Sequence, residues 1–252
     1  METRVDYDRR QYAVYSAGRA PLPAMVELWS ELLGRYVERD AEVLDLGSGI
    51  GTWSELLAEG LGATVAGVEP SARMREVAKR EHSHPRVRYV EGAAERIPLP
   101  DSSRDAALLS YVIHHVEDRT ACVTELRRVV RPGGNVVVRS TLRESLGDVP
   151  WFGFFPPARA VAERRMPALT EVVRLFADGG FEEVANEVIL QETARDLSEL
   201  YERLSHRAIS TLELIGDDEF EAGIERMRRA AEAETEPRPV VEPVNLLVFR
   251  RR

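Results

Sequence analysis

The feature that most constrains this chain is Val43-Leu44-Asp45-Leu46-Gly47-Ser48-Gly49-Ile50-Gly51, an apolar run that passes straight into a glycine-rich turn. The run reads as a buried strand, and a helical pattern begins at Thr52. Glycines in such a turn let the backbone bend sharply and approach a ligand with no Cβ in the way. In an open α/β sheet the ligand sits outside the carboxyl ends of the strands, where strand order reverses. The nicotinamide fingerprint G-x-G-x-x-G is broken here, because Thr52 occupies its third glycine position. Asp45 beside the loop disfavours a pyrophosphate and favours a ligand that presents an ammonium group, directly or through water. A second apolar run, Val65-Ala66-Gly67-Val68, ends at Glu69. That is roughly 20 residues past the loop, where an acidic side chain meets ribose hydroxyls. Loop, carboxylate and spacing together predict a nucleoside-bearing ligand, and which nucleoside stays open on this reading.

The remaining pattern predicts strands at Val43–Leu46, Thr64–Val68, Val87–Val90, Asp105–Ser110 and Asn135–Ser140, with helices at Thr52–Glu59, Ala72–His82 and Arg119–Val130. Strand–helix–strand repetition at this pitch predicts a parallel sheet covered on both faces, and the crossover rule makes it doubly wound. A helix is expected at Pro23–Val37 ahead of the first strand. After the fifth comes an irregular aromatic segment, Pro150 to Pro157, then a helix at Leu169–Asp178 stopped by Gly179-Gly180. A strand at Glu182–Leu190, helices at Leu197–Leu214 and Asp217–Glu234, and a last strand at Val244–Arg250 complete the pattern. The chain thus divides into an N-terminal helical lid over 1–40, a core over 41–140, cap insertions over 141–167 and 191–242, and the remainder of the core over 168–190 and 243–252.

Bulk properties narrow the partners. The 252 residues carry a formal charge of −9, which is repelled by nucleic-acid phosphates and anionic membranes. The single cysteine, Cys122, cannot form an internal disulfide or a multi-thiolate metal site, and it reads as a small buried side chain on a helix. No run reaches the ~18 apolar residues of a membrane helix. The charged stretch Met1–Arg10 lacks the apolar core of a signal peptide, so cytoplasmic residence is expected. No metal site is expected from the histidines, which lack nearby carboxylates in a ligating pattern.

On these motifs the chain resembles the class I S-adenosylmethionine-dependent methyltransferases, and more narrowly the type 11 group that includes ubiquinone/menaquinone-type and many natural-product enzymes. The resemblance spans Val43 to Ser140 and extends loosely into the flanks. It implies a Rossmann-like α/β fold, a doubly wound seven-stranded sheet with its last strand antiparallel and a small helical cap. It also implies S-adenosylmethionine as cofactor and S-adenosylhomocysteine as product. Val43 to Gly51 matches the family's first motif, which places Asp45, Gly47, Ser48, Gly49 and Gly51, with Thr52 and Trp53 just beyond, around the methionine part. Glu69 matches the acidic residue that holds both ribose hydroxyls, and Pro70, Ser71 and Met74 match the helix start beside the adenine. The run from Glu91 to Asp101 resembles the family's G-D-A-E-x-L-P-F-P-D, with Ala93 where the adenine-binding Asp stands. Ala93, Ala94 and Glu95 are therefore expected at the adenine, held through backbone, water or Glu95. Tyr12, Tyr15 and Gly18-Arg19-Ala20-Pro21 resemble an N-terminal helix that closes over the cofactor, with Tyr15 on it and Arg19 on its carboxylate. Arg131-Pro132-Gly133-Gly134 matches the turn before the fifth strand.

Methyl transfer from a sulfonium needs mostly positioning, and a base only if the nucleophile arrives protonated. Ser110 and the following Tyr111-Val112-Ile113-His114-His115 form the front edge of the pocket in the family. Were this a turn of helix, Tyr111, His114 and His115 would share a face. His114 or His115 is then a candidate base, since an imidazole titrates near neutral pH. The alternative reading has one of them packing only. His115 and Tyr111 are also expected at the cofactor, and His114 at the substrate. Trp151, Phe152, Phe155 and Tyr201 are the candidate substrate-binding residues of the cap, since ligand pockets are mostly aromatic and aliphatic. The expected acceptor is a small, apolar or aromatic molecule in secondary metabolism, with no nucleic-acid or membrane partner; a homodimer is compatible. Rival readings are an RNA or protein methyltransferase, and a cofactor-binding protein of the same fold that serves as a cyclase or assembly partner.

Overall fold

A computed structural model describes residues 6–252; Met1–Val5, at the start of the lid and of the charged N-terminal stretch, lie outside the described residues. One seven-stranded sheet organises the chain, in the order β3-β2-β1-β4-β5-β7-β6. Its strands are β1 (Glu42–Leu46), β2 (Thr64–Glu69), β3 (Val87–Glu91), β4 (Arg104–Ser110), β5 (Val130–Ser140), β6 (Phe181–Ala194) and β7 (Val240–Arg251). The first five run parallel, and β7 lies antiparallel between β5 and β6. Strand order reverses between β1 and β4, so the ends of these two strands open the crevice that binds ligands in this architecture.

Alternation along each strand fills both faces. Leu44, Leu46, Ala107, Leu109, Val136, Val138, Leu247 and Phe249 enter one apolar cluster. Val43, Val65, Ala106, Leu108, Val137, Leu246 and Val248 enter the other. Helices cover both faces, which is why the central strands read as continuous apolar runs. They are α1 (Tyr12–Arg19), α2 (Pro23–Gly34), α3 (Thr52–Leu61), α4 (Ala72–Glu81), α5 (Arg119–Val129), α6 (Pro156–Arg165), α7 (Leu169–Asp178), α8 (Leu197–Ser205), α9 (Ser210–Glu213) and α10 (Asp217–Glu232). Cys122 is fully buried on α5. Asp118 caps that helix by accepting from the Ala121 N–H at 2.9 Å. Among the described residues no helix is long and apolar enough to cross a membrane.

A third apolar cluster is the cap, built from Leu146, Trp151, Phe152, Phe155, Val161, Leu200, Leu204, Leu212 and Met227. Here the structure departs from the pattern read in the sequence. The segment expected to be irregular, Pro150 to Pro157, holds a 3₁₀ turn at Pro150–Gly153, preceded by another at Arg143–Asp148, and then the start of α6, which Pro156 and Pro157 open. Proline suits the first turn of a helix, whose N–H groups have no partner within the helix. The single helix expected over Leu197–Leu214 is broken in two at Arg207, whose φ is +53°. The Arg207 guanidinium turns inward, donating to the carbonyls of Leu212 and Ile215 at 2.9 and 2.6 Å and to Asp217 at 2.5 Å. Burying that cation among fixed acceptors outweighs continuation of the helix.

Candidate active site

The loop after β1 is held from two sides. Val68 O accepts from the N–H groups of Gly47 and Ser48 at 2.7 and 3.2 Å, which ties the turn to the end of β2. Gly47, Gly49 and Gly51 all have positive φ, a backbone region that strains any residue with a Cβ. Glu69 lies under the turn and is 7% exposed. Its Oε2 accepts from Gly49 N–H at 3.0 Å, and its Oε1 from Ser71 N–H at 2.8 Å. Burial pushes the Glu69 carboxyl up, and these two N–H groups hold it back.

A cavity of about 680 Å³ opens over Glu69. The expected Gly47, Gly49, Glu69, Pro70, Met74 and Ala93 line it, as do Ala94, Glu95, Ser110, Tyr111, Tyr15 and His115. Sequence reasoning missed Tyr7, Asp8 and Val112 on the same wall. Glu95 is also engaged as an acceptor, from the N–H groups of Glu117 and Asp118 at 3.2 and 3.4 Å. Two residues of the first motif are placed elsewhere. Asp45 lies beneath the loop, 1% exposed, accepting from Ser54 Oγ at 2.6 Å. Burial raises its carboxyl to about 7. Gly51 turns towards Tyr89 and lines none of these cavities.

The N-terminal segment closes the near side. Asp8 Oδ1 accepts from Ser71 Oγ at 2.6 Å and from Arg73 N–H at 2.9 Å, pinning the segment to the start of α4. The Tyr7 hydroxyl meets His115 Nε2 at 3.1 Å. A polar stretch rich in Tyr was the only sequence signal for these contacts.

A second, inner space of about 110 Å³ is lined by Ser48, Thr52, Trp53, Arg19, Arg139, Gln191, Thr193 and Glu242. A third, of about 80 Å³, lies under the cap, with Trp151, Phe152, His114, His115, Thr141, Arg19 and Glu242 on its walls. Tyr15 and Tyr111 border all three spaces. Tyr111 has φ of +57°, so the stretch after β4 is a turn rather than helix. The shared helical face for Tyr111, His114 and His115 is therefore not formed; instead the two imidazoles pack together, ring centroids 4.0 Å apart.

His114 is buried and its Nδ1 has no hydrogen-bond partner among the described residues. Burial, then the charges of His115, Arg165, Arg19 and Arg119, push it well below the usual imidazole range. It is neutral at pH 7 and a weak base. His115 Nδ1 faces Arg165 Nη2 at 3.5 Å, and a guanidinium can only donate.

Arg139 was also missed, hidden in an ordinary strand pattern. Its guanidinium stacks within 4.3–4.8 Å of the Trp29, Trp53 and Tyr111 rings. It donates to Gln191 Oε1 at 2.6 Å, and burial lowers it to about 10. Of the expected substrate residues, Phe155 and Tyr201 line none of the three spaces. Phe155 is fully buried in the cap and stacks on Phe220 at 6.0 Å, while Tyr201 packs on the margin of the same cluster. Both hold the cap together.

The site fits S-adenosylmethionine on three observations. A buried carboxylate is fixed beneath the wide cavity. Ser48 Oγ is buried at the loop with no partner among the described residues. Among the described residues a Cβ on Gly49 would meet no atom within 4 Å, so the loop apex is open to a ligand.

Known methyltransferases are similar to this chain over the core domain. Residues 44–138 match the methyltransferase domain family. The chain is 27% identical to demethylmenaquinone methyltransferase of Bacillus licheniformis over 170 residues, 59% of this chain and 73% of that one. Its fold is similar to that of a protein of Anabaena variabilis assigned as a methyltransferase of an antibiotic biosynthesis pathway, with a TM-score of 0.73, 24% identity, and coverage of 90% of this chain and 97% of that one. It is similar also to phosphoethanolamine N-methyltransferase 2 of Haemonchus contortus, solved with phosphomonomethylethanolamine and S-adenosylhomocysteine. There the TM-score is 0.62 at 19% identity, over all of this chain and 60% of that one. Likeness at these structural identities speaks for the fold alone.

Proposed function

We propose that this chain, an S-adenosylmethionine-dependent methyltransferase by its domain and fold, methylates a small apolar or aromatic acceptor enclosed between core and cap. The observation that carries the reading is the meeting of three spaces at Tyr15 and Tyr111: a wide one over Glu69, a narrow one that reaches Leu200 and Leu204 of the cap, and a narrow one walled by the aromatic Trp151 and Phe152. A space of about 80 Å³ walled by Trp151 and Phe152 suits part of a small flat molecule rather than a polymer. The aromatic cap and the likeness to a protein of antibiotic biosynthesis support a setting in secondary metabolism.

S-adenosylmethionine supplies a methyl group on a sulfonium, whose departure leaves a neutral thioether. Glu69 would accept from the two ribose hydroxyls, and Met74 with Ala93 and Ala94 would border the adenine. Gly49 and Ser48 would receive the methionine part, with Arg19 beside its carboxylate. The chain's own contribution is alignment and exclusion of water. Tyr7 and Asp8 cover the entrance, and the cap closes the far end.

Calorimetric titration with S-adenosylmethionine and S-adenosylhomocysteine, with NADH and ATP as controls, tests the cofactor. Micromolar binding of the first two, lost in Glu69→Ala, is expected; binding of NADH instead would remove the reading. A screen of small phenols and hydroxylated ring systems, read by mass gain of one methyl group, then tests the acceptor class. Methylation of RNA or protein with none of small molecules would overturn it.

A further inference from the structure

We propose that Glu242 takes the proton of the acceptor, its carboxylate receiving a hydroxyl of a small phenolic or enolic molecule held between the core and Trp151. This rests on the methyltransferase reading above.

Glu242 stands near the start of β7, opposite Gln191, while Asn245 pairs with Ser140 at the end of β5. Glu242 therefore lies three residues beyond the last pair with β5, above the edge of the sheet where the ligand spaces open. Adjacent strands are about 4.8 Å apart, so β7, three strands from β1, is offset by about 14 Å from the glycine loop. That offset carries Glu242 to the end of the inner space away from the loop, where it also lines the narrow space walled by Trp151. Among the described residues that line the two inner spaces, it is the sole carboxylate.

Its surroundings keep it available. Glu242 Oε1 accepts from Thr193 Oγ1 at 3.1 Å. The charged groups facing it are Arg19 on α1, Arg139 on β5 and Arg203 on α8, and the phenol of Tyr111 stands on the shared wall. Among the described residues none of these guanidiniums closes an ion pair on it: Arg139 is engaged with Gln191 and Ser110, and Arg19 lies 5.1 Å from the Tyr111 ring centroid. Burial raises its carboxyl above the ordinary range, ahead of the opposing Thr193 bond, the Arg19 charge, the Trp151 indole N–H that faces it and the Arg139 charge. A raised carboxyl binds a proton better, whereas burial, then the charges of His115, Arg165, Arg19 and Arg119, weaken His114 as a base.

The walls describe the acceptor. Trp151, Phe152, Leu146, Val149 and Met166 form an apolar slot for a flat body. At its polar end, Thr211 Oγ1 is buried with no partner among the described residues and can serve a second oxygen. In the step itself a carboxylate oxygen takes the hydroxyl proton, and the O–H electron pair stays on oxygen. That oxygen bonds the methyl carbon as the carbon–sulfur bond breaks, its pair remaining on sulfur. Carboxylate and sulfonium charges cancel, leaving a carboxylic acid, a methyl ether and a thioether.

The test titrates protein loaded with S-adenosylhomocysteine with 4-nitrophenol at mildly acidic pH, where the free probe is mostly colourless and its anion yellow. Wild type is expected to bind the probe and yield the yellow form. Glu242→Gln, which keeps size and loses the base, should bind about tenfold more weakly and stay colourless. Glu242→Asp should restore part of the colour. Calorimetry should show S-adenosylhomocysteine affinity close to wild type in both variants. Unchanged probe binding in Glu242→Gln, no probe binding by wild type, or a cofactor affinity that falls with the carboxylate would each overturn the proposal. Failure of the wild type to bind S-adenosylhomocysteine at all would strike the methyltransferase reading instead.

Discussion

Gly51→Ala and Gly49→Ala should separate structure from binding within one loop. Gly51 has φ of +92°, and a Cβ there would lie 2.7 Å from Tyr89 Cζ and closer still to its hydroxyl oxygen. Left-handed backbone costs a residue with a Cβ about 1–2 kcal/mol. The Tyr89 ring cannot yield freely, because its hydroxyl donates to His82 O at 2.8 Å. Breaking that bond costs about 1 kcal/mol, and forcing the ring aside in a packed site about 1–3 kcal/mol more. Gly51→Ala is therefore expected to lose about 3–6 kcal/mol of stability. Gly49 has φ of +55°, but its Cβ would meet nothing within 4 Å. Gly49→Ala should lose only the backbone share, about 1–2 kcal/mol, while the new methyl projects into the ligand space. Urea unfolding measures the first effect, and calorimetry with S-adenosylhomocysteine the second. Gly49→Ala should weaken binding at least about tenfold, the effect of roughly 1.4 kcal/mol. A loss below about 1 kcal/mol in Gly51→Ala would refute the steric reasoning. Wild-type affinity in Gly49→Ala would show that the loop apex is not a ligand wall.

Three further outcomes are expected. Burial holds the folded Asp45 carboxyl at about 7 against 3.8 for a free one, so between these values the folded state keeps a proton that the unfolded chain releases. Stability must then fall as pH rises across that window and level off above it, and Asp45→Asn should flatten the dependence of the urea midpoint on pH. Phe155→Ala should lose about 3–5 kcal/mol by emptying the cap core, yet bind S-adenosylhomocysteine normally; weakened cofactor binding would contradict the division between cap and cofactor space. The bonds from Ser71 and Arg73 hold the Asp8 carboxyl below the usual range, so its grip on α4 is complete above that range and fades as pH falls through the lowered value. Asp8→Asn should raise amide exchange in residues 7–19 with little change in the sheet, and equal exchange would refute the strap.

The sheet was legible because a buried parallel strand leaves a plain trace. Val43, Leu44, Leu46 and Val136–Val138 fill clusters on both faces, which leaves a short, nearly continuous apolar run in each strand. The loop was legible for the same kind of reason: only glycine serves at φ of +92° against Tyr89. The cap was less legible. Its helices have few residues each and bury one stripe, and Arg207 breaks a sound helical pattern by a choice of φ that no neighbour in the sequence announces. Pro156-Pro157 looked like a loop signal and is a helix start, a case where one residue pair serves either structure.

The site divides along another line. Residues that contact the cofactor space through backbone shape, such as Gly49 and Ala93, can be read from a motif. Residues that set the chemistry under the cap cannot, because their character comes from what surrounds them. His114 in the sequence is a candidate base; in the fold burial, then the charges of His115, Arg165, Arg19 and Arg119, drive it to its neutral form. Glu242 in the sequence is one acidic residue among many near the C-terminus; in the fold burial raises it, and among the described residues the three nearby guanidiniums close no ion pair on it. Arginines stand near both groups, Arg19 near each, yet the carboxylate stays serviceable, since a positive field lowers the proton affinity of both while burial lowers it for the cation and raises it for the acid. Desolvation thus decides between the two candidate bases, and desolvation is a property of the assembled cap rather than of any segment of the chain.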